Sequence, residues 1–72
     1  MTEPATTILT KADTVALWHA VDALNWQIVG MREANKEEPG RFTPEQFDAE
    51  RQRLLQAKRA LRKVNAIRKA QP

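Results

Sequence analysis

The chain has 72 residues, 12 Lys or Arg against nine Asp or Glu, a formal net charge of +3, one His and no Cys. That length makes one small domain of marginal stability, with disulfides excluded and a structural metal short of ligands, so a second subunit or a bound partner is the remaining support. The net charge hides a split: Arg51 to Pro72 carries eight bases and no acid, while the first fifty residues carry all nine acids and four bases.

Residues 1–9 read as a flexible N-terminal tail, and residues 10–72 as a single helical-hairpin domain. The opening Met1–Thr7 has no basic stretch followed by an apolar run, so it does not read as a secretory leader. With no Cys, the expectation is a soluble, cytoplasmic protein.

Thr10 is a helix N-cap with Asp13 three residues on, close to a capping box. No Pro follows until Pro39, which predicts helix 1 over about residues 11–36. Leu17, Val21, Leu24, Ile28 and Met31 recur at steps of four and three and span an arc of about 80°. Val15, Trp18, Trp26 and Val29 form a second apolar arc beside it, shared with Asp22. The third side holds Ala12, Ala16, Ala20, Ala23, Gly30 and Ala34, with Gln27 its one long side chain. The window Ala12 to Met31 still holds Asp13, His19, Asp22, Asn25 and Gln27, which argues against a membrane span.

Residues 37–43 are the turn, with Pro39 and Gly40 at its centre. The next start signal is the strongest in the chain. Thr43 caps, Pro44 takes the first helical position, Gln46 completes a capping box, and Phe42 and Phe47 sit where a hydrophobic staple belongs. Helix 2 is expected over about residues 44–70, with a seam of Phe47, Leu54, Ala57, Leu61 and Val64 that Glu50 interrupts.

Two matched helices and a short turn predict an all-α fold, an antiparallel two-helix hairpin. A helix that is apolar or small nearly all round is normally covered. A single helix 2 covers one face, so dimerisation into a four-helix bundle through helix 1 is expected. Val15, Trp18, Asp22, Trp26 and Val29 are the candidate partner or dimer interface. The plainer reading of both Trp is dimer core, and of the alanine strip, simple helix propensity.

In helix 2, Arg51, Lys58, Arg62 and Lys69 fall within about 40° on the wheel, with Arg59 and Lys63 further round. This stripe fits an anionic partner, either acidic protein or a phosphate backbone. It also fits a solvated face matched to the helix dipole. No aromatic interleaves with the bases for stacking, and few Asn or Gln are placed to read base edges. A membrane surface fits worst, because the apolar seam is needed for pairing.

Nothing points to catalysis, a cofactor, a metal or a small-molecule substrate. The lone His19 is spaced to hydrogen bond Asp22, but no phosphate loop, metal-spaced cluster or nucleophile motif is present. The expected function is a non-enzymatic protein-interaction module: an adaptor, inhibitor or assembly factor. The alternative is a small basic nucleic-acid-binding protein that contacts the phosphate backbone through helix 2.

Overall fold

The computed structural model describes residues 8–72, so the tail expected over residues 1–9 lies mostly outside the described residues. Two helices account for most of the rest, α1 (Lys11–Glu37) and α2 (Pro44–Ala70). They pack against each other, and no strand occurs among the described residues. The chain is an all-α helical hairpin.

The helices start where local chemistry satisfies their first amides. Thr10 Oγ1 accepts from the Asp13 amide, and Asp13 Oδ2 accepts from the Thr10 amide at 2.8 Å. Thr43 and Gln46 repeat the exchange at the start of α2. The turn has an equally local cause. Pro39 and Gly40 are the central residues of a β-turn closed by the Arg41 amide donating to the Glu38 carbonyl at 3.1 Å. Gly40 has φ +84°, which the second central residue of a type II turn requires and a side chain resists. Beyond it Phe42 and Phe47 meet edge to face at 6.3 Å, closing the staple.

Two side-chain amides clamp the hairpin, one at each end. Near the turn, Asn35 Oδ1 accepts from the Phe42 amide at 2.8 Å, and its Nδ2 donates to the Phe42 carbonyl. At the open end, Gln71 Oε1 accepts from the Leu9 amide and its Nε2 donates to the Leu9 carbonyl, each at 2.8 Å. Each amide completes both backbone groups of a residue outside the helices. Asn35→Ala leaves the half-buried Phe42 backbone unpaired and is expected to cost about 1–3 kcal/mol, read as a lowered urea midpoint at unchanged slope.

Burial is thin. Ile28 (4% exposed) and Met31 are the only buried apolar side chains among the described residues, with Thr14 and Glu50 the buried polar ones. The hairpin is one layer, 52 × 28 × 18 Å, with a radius of gyration of 16.9 Å. A compact chain of this length would have a radius of about 11 Å. Domains normally enclose their core between two layers, and this one has a single layer with two open faces.

Candidate interaction surface

The register of the hairpin, set by the turn, determines which side chains of α1 and α2 share a face. On one face, Trp18, Val21, Asp22 and Asn25 of α1 line a shallow cleft with Lys58 of α2. On the other, Gln27, Gly30 and Ala34 of α1 face Gln46, Ala49, Glu50 and Arg53 of α2 across an open groove of about 580 Å³. Met31, Phe42 and Arg41 complete that groove at the turn end.

The first face joins features that the sequence presents separately. Trp18 (55% exposed), Trp26 (64% exposed) and Val15 are open to solvent, while Asp22 and Val29 are half-buried. Arg51, Lys58, Arg59, Arg62, Lys63 and Lys69 are all exposed. Trp18 and Asp22 share a cleft with Lys58, so the Trp arc and the basic stripe adjoin along one face. Trp26 lies about 80° further round α1 than Trp18, toward the outer edge of the hairpin. His19 stacks edge-on against the Trp18 ring at 5.4 Å and makes no hydrogen bond to Asp22.

Charge compensation is uneven along the hairpin. The ion pairs among the described residues are Glu33 with Lys36, Glu38 with Arg41, Asp48 with Arg51, and Glu50 with Arg53. All lie in the turn half. The first three are exposed on both sides and contribute little stability, but all four use up local charge. Arg51 is also drawn over the Phe47 ring at 5.6 Å, so it belongs less to the stripe than its position implies. From Lys58 to Lys69 no cation has an acidic partner among the described residues.

The second face was only half visible in the sequence. On α2, Gln46, Ala49, Arg53, Ala57, Ala60, Val64 and Ile67 fall within about 80° on the side of the seam away from the basic stripe. Gln46, Ala49 and Arg53 line the same groove as Gln27, Gly30 and Ala34, so the alanine strip of α1 continues onto α2. The signal for this was the second run of small residues, at Ala49, Ala57 and Ala60. Gly30 has nothing within 4 Å of where a side chain would begin, so its small size serves no approach to α2.

Glu50 lies beneath this face. It does not simply interrupt the seam: it is buried within it, only 8% exposed. Arg53 Nη1 donates to its Oε1, and Oε2 is buried without a hydrogen-bond partner. Arg68 Nε, at the open end, is the other buried side-chain atom left unpaired among the described residues.

No group of His, Cys, Asp and Glu placed to hold a metal occurs among the described residues, and none of their helices is long and apolar enough to cross a membrane. No protein-family model, curated protein or solved structure matches the chain.

Proposed function

We propose that this chain is a non-enzymatic protein-interaction module that self-associates into a two-fold four-helix bundle and captures a second protein on its Trp-bearing, basic face. The observation that carries the reading is the exposure of Trp18 and Trp26 on a helix whose seam is already engaged by α2. Such side chains each bury about 150–250 Å² at an interface and are the commonest energetic anchors there. Because Lys58 shares a cleft with Trp18, and neither it nor Arg62 and Lys69 further along α2 has an acidic partner among the described residues, the fitting partner has an apolar depression bordered by acidic groups.

The same unpaired cations favour a second reading, contact with a nucleic-acid backbone, and one experiment separates the two. Tagged wild-type protein, Trp18→Ala/Trp26→Ala and Lys58→Glu/Arg62→Glu are used to capture partners from the native host, with and without nuclease. The expected result is a nuclease-resistant protein partner, lost by at least about thirtyfold in the Trp variant, as removal of a hot spot of 2 kcal/mol or more implies. Duplex DNA at about 50 mM salt, where backbone binding is strongest, is expected to be ignored. Tight DNA binding that the Trp variant keeps and the charge-reversed variant loses would replace the protein-partner reading.

A further inference from the structure

We infer that a second copy of this chain docks on the alanine-rich face, with the two hairpins antiparallel and their turns at opposite ends. The inference rests on the self-association proposed above, and adds which face is used and in which direction.

Size is the first argument. Helices of 27 residues, side by side, make a face about 40 Å long and about 20 Å wide. That is about 800 Å² on each partner, the area of a standard stable interface. Its exposed Ala23 and Ala60 keep the backbones open to close approach, and Ile67 (56% exposed) is a projecting side chain. The residue at level with Ile67 in a fully overlapped antiparallel copy is Phe47, since α2 is centred on residue 57. Ile67 would therefore enter the partner's groove beside Gln46 and Ala49.

Charge is the second. A two-fold interface brings the same surface together twice, so an uncompensated charge meets its own copy's field. On the alanine-rich face the charged residues lining the groove are all paired, Glu50 with Arg53 and, at the turn end, Arg41 with Glu38. Docked in the same direction on the opposite face, Lys58 would lie beside its own copy and Arg62 beside Arg51 of the other. In the same groove the buried, unpartnered Oε2 of Glu50 marks a polar demand that the lone hairpin does not meet.

Direction follows from the ends. The open half, residues 8–23 and 56–72, holds seven bases and two acids, whereas the turn half, residues 24–55, holds five bases and six acids. Parallel docking would join two cationic ends. Antiparallel docking places each cationic end beside a weakly acidic one, with α1 against its copy. The Trp18 face then stays outward, free for a different protein.

The test uses the full chain and two readouts. Light scattering after size exclusion is expected to give a dimer for wild type and for Trp18→Ala, and a folded monomer for Ala23→Glu/Ala60→Glu, with association weakened at least about a hundredfold. Both alanines are exposed and glutamate is a good helix former, so helicity by circular dichroism is retained. The chain has no Cys, so single cysteines report direction. Ala23→Cys, one residue from the centre of α1, is expected to form an intermolecular disulfide under mild oxidation, and Ala34→Cys is not. A monomeric wild type would overturn the self-association reading and this inference together. A glutamate variant that stays dimeric would overturn the face alone. Crosslinking by Ala34→Cys without Ala23→Cys would overturn the direction.

Discussion

Ile28→Ala is expected to unfold most of the hairpin at low protein concentration. Ile28 is the most deeply covered side chain among the described residues, and it sits mid-seam in α1. Removing three methyl or methylene carbons from such a site costs about 2–5 kcal/mol, the transfer of the lost atoms plus the cavity they leave. A single-layer domain of this size holds only about 3–5 kcal/mol in total. Far-UV circular dichroism of dilute protein is the measurement, with Leu55→Ala as control, since Leu55 is half open to solvent and changes there stay near 0.5 kcal/mol. If the hairpin self-associates, raising the protein concentration restores part of the lost helicity by mass action. A cooperative transition within about 1 kcal/mol of wild type would show that the α1–α2 seam is not what holds the hairpin.

The seam was legible because it is periodic, and the helix limits were legible because their signals are local. Thr10, Thr43, Pro44 and Gln46 act within one turn of their own position, and Pro39 with Gly40 stops a helix whatever surrounds it. The two amide clamps were invisible for the opposite reason. Asn35 and Phe42 are seven residues apart, Leu9 and Gln71 sixty-two, and no spacing rule singles out one amide among several. The Trp arc and the basic stripe each appear on a separate wheel. That they adjoin depends on the register across the turn, which brings Lys58 beside Trp18. The continuation of the alanine strip onto α2 depends on the same register.

Glu50 occupies the seam position that its spacing indicates, but its burial is not legible from spacing. A carboxylate at a seam position reads as a break, because an ionisable group seldom enters a core unless it is paired. Here the partner comes from the next turn of the same helix, Arg53, at a spacing that serves exposed and buried acids alike. Sequence spacing shows that the pair can form, and only the packing of α1 over α2 shows which end of it is buried.

That burial gives the last prediction. Glu50→Leu is expected to stabilise the hairpin by about 2 kcal/mol. A leucine between Phe47 and Leu54 continues the apolar seam, and full burial of such a side chain contributes about 1.5–3 kcal/mol. The substitution also removes Oε2, a buried acceptor without a partner, which costs about 1–3 kcal/mol as it stands. Against this is set the Arg53 contact, whose guanidinium is mostly in solvent and contributes little. For a chain of this length the gain corresponds to a rise in Tm of about 8–16 °C. Urea denaturation of Glu50→Leu, with Glu50→Ala alongside to expose the cost of an unfilled site, measures it in a monomeric Ala23→Glu/Ala60→Glu background. A loss of stability in Glu50→Leu would show that the carboxylate and Arg53 attract each other more strongly than a filled seam does. A gain accompanied by weaker self-association in the otherwise unaltered chain would tie Oε2 to the second copy. The buried acid would then be a local instability that the assembled face relieves, in the way binding surfaces commonly trade fold stability for recognition.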